Sequence, residues 1–132
     1  MRCVSYGNKF IRSMNIELIR EYCLSKPAVT ESFPFDEDTL VFKIGNSKMF
    51  LLASLERVPL KINLKAVPEK SLELREKYPQ ITPGYHMNKK HWNSVVIDGL
   101  LPDSLIYELI DDSYSLVVKS MTKKQRNELG ID

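Results

Sequence analysis

The densest chemistry in this 132-residue chain lies at Tyr85, His86, Met87, Asn88, Lys89, Lys90, His91, Trp92 and Asn93. Two imidazoles, two ammonium groups, two amides and an indole crowd this one segment. Aromatic rings interleaved with cations suit a ligand that joins a flat base to a phosphate. Lys89, Lys90, His91 and Asn93 are the candidate surface contacts. Trp92 is a lone indole beside a strand and is expected to bury its ring. His86 is expected to be a hydrogen-bonded structural residue. His86 and His91 stand at i, i+5, which does not place two imidazoles on one helical face. No nearby Cys or carboxylate completes a ligand set. Neither a metal site nor a cofactor is expected.

A second set of cations, Lys43, Lys48, Lys61 and Lys65, falls in strand-like stretches. The formal charge of +2 hides an uneven distribution. Residues 1–38 carry 5 basic and 6 acidic groups, residues 39–94 carry 10 and 4, and residues 95–132 carry 4 and 7. A basic middle between acidic ends fits an anionic partner. Lys and Arg that neutralise phosphate supply most non-specific affinity for DNA. The sequence pI of about 8.5 lies below the ~9 usual for a dedicated DNA-binding domain. Lysines also keep an exposed sheet from pairing at its edges. The function expected from these residues is a small non-enzymatic binding module, directed at DNA through the lysine-bearing face and the Lys89–Asn93 segment. The alternative is a protein-interaction or small-ligand module whose His86–Trp92 segment lines a pocket.

Enzymatic signatures are missing from the sequence. There is no GxSxG, P-loop or Rossmann glycine pattern. Ser94 and His91 are neighbours in sequence only, and a catalytic triad is a matter of geometry. Cys23 belongs to an apolar helical stripe and reads as an inert core thiol. Asp111 and Asp112 are adjacent on a helix, so they point about 100° apart. They read as solvated helix surface.

The elements that must position these residues follow from periodicity. Asn15 is a plausible N-cap, and Ile16, Ile19 and Cys23 mark an amphipathic helix over about 15–25 that ends before Pro27. Residues 27–38 are rich in turn formers and acids. In TLVFKI, Leu40, Phe42 and Ile44 face one side, with Val41 and Lys43 on the other. Gly45-Asn46-Ser47 supplies a turn. KMFLLAS is more continuously apolar, as in a central strand. LKINLK alternates, with Leu60, Ile62 and Leu64 inward and Lys61, Asn63 and Lys65 outward. Pro68 opens a second helix that must end before Pro79. Residues 79–93 cannot form a regular helix, and SVVID is a short strand. Leu105, Ile106, Leu109, Ile110, Ser113, Leu116 and Val117 form one stripe of a long helix opened by Pro102-Asp103. A short helix from Lys123 to Leu129 stops at Gly130. Strand runs separated from helices predict an α+β domain with an antiparallel sheet covered by helices on one face.

PGYHMNKKHWN at 83–93, the following SVVIDG, and PDSLIYELIDDSYSLVVKSM at 102–121 resemble the MmcQ/YjbR family. PLKINLKAVPEKSLELREKYPQITPGYH upstream is similar to that family's middle section. The resemblance covers about residues 14–126. It implies a CyaY-like two-layer α+β architecture and a DNA-binding role through a double-wing arrangement of hairpins. Residues 1–13 fall outside it and are expected to be an extension, with residues 14–132 forming the domain.

No apolar run approaches the ~20 residues of a spanning helix. The N-terminal stretch lacks the continuous apolar core of a secretory signal. Two cysteines make no disulfide framework. A cytoplasmic, monomeric protein is expected.

Overall fold

The computed structural model describes residues 3–6, 9–84 and 87–131, with side chains from Ser13 onward. Helix α1 (Ile16–Leu24) starts where Asn15 Oδ1 accepts the Leu18 amide at 3.0 Å. Glu17 complements the dipole in its first turn. Ile19 and Cys23 are fully buried on its inner face. Met14, at the expected start of the domain, is also buried in the core. Ahead of it, β1 (Cys3–Tyr6) and β2 (Lys9–Arg12) pair antiparallel as a two-stranded sheet of their own. These four-residue strands show no readable period in the sequence.

The remaining strands are β3 (Val29–Ser32), β4 (Thr39–Ile44), β5 (Lys48–Ser54), β6 (Leu60–Lys65), β7 (Ile81–Pro83) and β8 (Trp92–Ile97). They form one six-stranded sheet in the order β3-β4-β5-β6-β8-β7, antiparallel throughout. Gly45 and Asn46 both take positive φ at the β4–β5 turn, a conformation that matches the strand twist in tight hairpins. A Cβ at Gly45 would lie 2.5 Å from the side chain of Leu129. Glycine is favoured there by its positive φ, and a larger residue would also have to displace the Leu129 side chain.

Helices α2 (Pro68–Lys77), α3 (Asp103–Ser120) and α4 (Lys123–Leu129) complete the chain. The core lies between the helices and one sheet face. Leu40, Phe42, Ile44, Ile62, Leu64, Val95 and Ile97 supply the sheet side, and Ile106, Leu109, Ile110 and Val117 the α3 side. This is the expected α+β arrangement, and the inward and outward residues of β4 and β6 fall as their alternation predicts.

Strand β5 departs from simple alternation. The register slips opposite Phe42/Lys43, and Phe50 and Leu51 both enter the core. This β-bulge explains why KMFLLAS reads as continuously apolar. Ser113, fully buried on α3, repairs the broken ladder. Its Oγ donates to the Phe50 carbonyl at 2.6 Å and accepts the Lys65 amide at 2.9 Å.

Asp111 and Asp112 are not merely solvated helix surface. Asp111 accepts from Tyr22 Oη at 2.7 Å and pairs with Lys26, tying α3 to α1 and its following turn. Asp112 pairs with Lys70 of α2, which also reaches Glu108 at 2.9 Å. Their angular separation sends one carboxylate to each neighbouring helix. No helix among the described residues is long and apolar enough to cross a membrane.

Candidate functional site

The sheet face away from the helices is open. Register places its side chains in cross-strand rows. Thr39, Ser54, Lys61 and Val96 form one row. Val41, Leu52, Asn63, Ser94 and Thr82 form the next. Lys43 lies opposite Met49, and Lys65 opposite Trp92, toward the other end of the strands. Val41, Leu52 and Trp92 are buried together beneath Met49 and Met87. This second apolar cluster buries the Trp92 ring, as expected, but on the open face rather than under the helices. Lys65 Nζ lies 5.7 Å from the ring centroid, a cation–π contact.

Above this floor is a concavity of about 430 Å³ lined by Phe35, Thr39, Met49, Leu52, Ser54, Arg57, Lys61, Asn63, Met87 and Ser94. Three connections wall it. Phe35 comes from the β3–β4 connection, Arg57 from the β5–β6 turn and Met87 from the β7–β8 connection. The floor is polar at one point, where Ser94 Oγ donates to Asn63 Oδ1 at 2.6 Å. That bond occupies the amide oxygen. Among the described residues, Asn63 Nδ2 has no acceptor, and Arg57 and Lys61 have no ion-pair partner. Two cations and an amide donor thus line an apolar-floored hollow.

Three helix-side cations are held by carboxylates. Arg20 makes a two-pronged pair with Glu31, at 2.7 and 2.6 Å. This holds the Glu31 carboxyl below its ordinary value. Lys26 and Lys70 pair with the α3 carboxylates described above. Lys48 was expected among the nucleic-acid contacts. It stands opposite Ile44 on the helix side, and its Nζ reaches the Ser120 carbonyl at 3.2 Å. It closes the end of α3 rather than facing the lysines of the open face.

Asn93 requires a correction. It is buried, not a surface contact. It pairs with Leu64, so it shares the helix side of β8. Arg75 Nε donates to Asn93 Oδ1 at 2.7 Å, and Asn93 Nδ2 donates to Ser71 Oγ at 2.9 Å. Arg75 also donates to the carbonyls of Lys89 and Trp92, at 2.6 and 3.3 Å. The guanidinium therefore clamps the segment leading into β8. Lys89 and Lys90 are exposed on that segment, and His91 is half-buried with its carbonyl accepting the Ala66 amide at 2.8 Å. This bond sets them near the Lys65–Trp92 end of the sheet. Tyr85 and His86 lie outside the described residues.

Of the expected contacts, Lys43, Lys61 and Lys65 share the open face. Sequence reasoning missed Phe35, Arg57, Met49 and Leu52 as pocket wall. Strand alternation already turned Asn63 outward, and the same alternation turns Ser94 outward from Trp92. Arg57 lies in a turn, where no period reports direction. The Cys23 thiol is pushed up to about 12, mainly by burial, and is an inert core group. Among the described residues, no three His, Cys, Asp or Glu side chains cluster as a metal site.

A helix-backed antiparallel sheet with a hollowed opposite face defines a two-layer α+β class. A family model described as YjbR matches residues 24–116, and the chain belongs to that family. It is 42% identical to the uncharacterized protein YbdF of Escherichia coli O157:H7, over 86% of this chain and 92% of that protein. It is 34% identical to the uncharacterized protein YjbR of Escherichia coli K12, over 88% of this chain and 98% of that one. Among solved structures it is similar to Deinococcus radiodurans DR2400, which carries a DUF419 domain. The TM-score is 0.82 at 44% identity, covering 89% of this chain and 88% of that one. A Pseudomonas syringae protein matches with a TM-score of 0.67 at 33% identity, over 78% of this chain and 98% of its own.

Proposed function

We propose that this protein is a non-enzymatic binding module that holds a small anionic ligand on its open sheet face. One arrangement carries the reading. Lys43, Lys61 and Lys65 share the open face, Arg57 and Lys61 line its hollow, and none of these four cations has an ion pair among the described residues. A mostly apolar hollow with a few convergent polar groups is the usual form of a small-molecule site.

DNA is the second reading. It is favoured by Lys43, Lys61 and Lys65 sharing one face and by exposed Lys89 and Lys90 near its end. The concavity argues for the smaller anion. Lys61 lines a hollow instead of projecting from a ridge, Lys65 lies over Trp92, and Lys48 and Asn93 are engaged on the other side.

Trp92 is the chain's one tryptophan, so its emission reports on this face directly. Titration with phenyl phosphate should change Trp92 emission saturably. Anisotropy of a labelled DNA duplex over roughly 50–200 mM salt supplies the comparison. A steep salt dependence that K43Q/K61Q/K65Q flattens, with no response to phenyl phosphate, would transfer the role to DNA. Silence toward both would refute anion binding.

A further inference from the structure

The hollow on the open face is more selective than a general cationic surface. We infer that it is a site for an aromatic acid: a flat ring bearing one carboxylate or phosphate. This inference rests on the reading that the open face binds an anion, and it adds the ligand's body and the groups that grip each end.

The acid end follows from the donors. Arg57 presents a planar guanidinium suited to two-pronged binding of a carboxylate or phosphate. Lys61 adds an ammonium from the neighbouring strand. Asn63 Nδ2 is the third donor: the amide oxygen accepts from the Ser94 hydroxyl, and Nδ2 has no acceptor among the described residues. Lys61 and Asn63 are half-buried and Arg57 is exposed at the mouth, so an anion in the hollow would take two partly desolvated donors and one accessible guanidinium.

The ring end follows from the apolar lining. Met49, Met87 and Leu52 line the hollow, and Phe35 is 62% exposed at its wall. A Phe ring left in water beside an apolar hollow gains area when a second flat ring covers it. Thioethers make favourable contacts with aromatic edges and adapt to ring shape. Trp92 lies beneath as packed floor. It is too buried to be the stacking surface itself, so Phe35 and the two methionines take that role.

Acids stand at one rim. Asp36, Asp38 and Glu56 line an adjoining depression that shares Thr39, Ser54 and Arg57 with the hollow. Asp36 is bound by the amides of Asp38 and Thr39, at 2.8 and 2.7 Å, and these bonds hold its carboxyl below the ordinary value. Its charge stays directed into its own turn. The rim sets a limit on the ligand: one acid group is accepted, and a long polyanion extending past Arg57 would meet like charge.

The test is ¹H–¹⁵N correlation spectroscopy of the labelled full chain with four probes. 1-Naphthyl phosphate and 2-naphthoate carry ring and acid, inorganic phosphate carries acid alone, and naphthalene-2-methanol carries ring alone. One or both ring acids should give saturable shifts confined to the lining segments around residues 35–39, 49–63, 87 and 94, and the stronger of the two identifies the acid group. The single-feature probes should bind at least about tenfold more weakly. R57Q and K61Q, on a turn and a sheet surface, should each weaken the ring acids about tenfold. F35A should weaken them while sparing inorganic phosphate. Equal binding of naphthalene-2-methanol, or full affinity in R57Q/K61Q, would overturn the inference. Should both ring acids fail while another anion still titrates Trp92 through Lys43 and Lys65, the aromatic-acid site falls and the anion-binding face stands. Failure of every anion removes both.

Discussion

Ser113 sits where the sheet's hydrogen-bond ladder is interrupted. Its hydroxyl serves both the Phe50 carbonyl at the bulge and the Lys65 amide. Ser113→Ala would leave a buried carbonyl and a partly buried amide unmatched, and urea unfolding should show a loss of about 1–3 kcal/mol. In the sequence, Ser113 is one polar residue in an apolar stripe. Its role depends on a bulge that no local pattern announces. Asn93 was misread for a related reason. A polar residue next to a cationic run looks exposed, and only strand register turns it toward Arg75. Glu31 gives a pH prediction. The Arg20 guanidinium lowers its carboxyl from the ordinary 4.5, so its stabilising contribution is present above that pH. It is lost as pH falls through the folded-state value. Urea unfolding should show wild type more stable than E31Q near neutral pH, with the gap closing on acidification below about 4.5. A gap that widens in acid would contradict the assignment.

At the scale of elements, the long periodic segments were legible. Helices α1 and α3 and strands β4 and β6 show their buried faces through spacing alone. Strands β3 and β7 were not legible as strands, because four and three residues give too little alternation to count. Pro83 is compatible with β7 because β7 is an edge strand. The open face was partly legible: outward lysines on β6 were readable, whereas the walls supplied by three connections were not. Arg75 links these connections to a helix. Arg75→Met removes the bonds to Asn93, Lys89 and Trp92. Amide exchange in residues 87–91 should then quicken, while β4 and β5 keep their protection. Uniformly faster exchange across the sheet would show a general structural role instead of a local clamp. Because Met87 rides on the same segment, R75M should also weaken ligand binding on the open face.

Across the whole molecule, topology sorts charge in a way that linear counts cannot. The basic middle of the chain contributes both Lys70, neutralised against α3, and Lys61, left without an ion pair on the other side of the sheet. The antiparallel order brings β4, β5 and β6 side by side, so residues far apart in sequence share the hollow. Antiparallel sheets commonly leave one face in water. This one covers part of that face with Val41, Leu52 and Trp92, and sets Arg57 and Lys61 at the remaining depression. The net charge of +2 is too small to describe this asymmetry. The most direct measurement is Trp92 emission during titration with phenyl phosphate, in wild type and in R57Q/K61Q. Wild type should give a saturable change that the double variant loses at equal folded stability. An absent response in wild type would contradict anion binding on this face, and the same curve in both proteins would contradict binding in the hollow between Arg57 and Lys61.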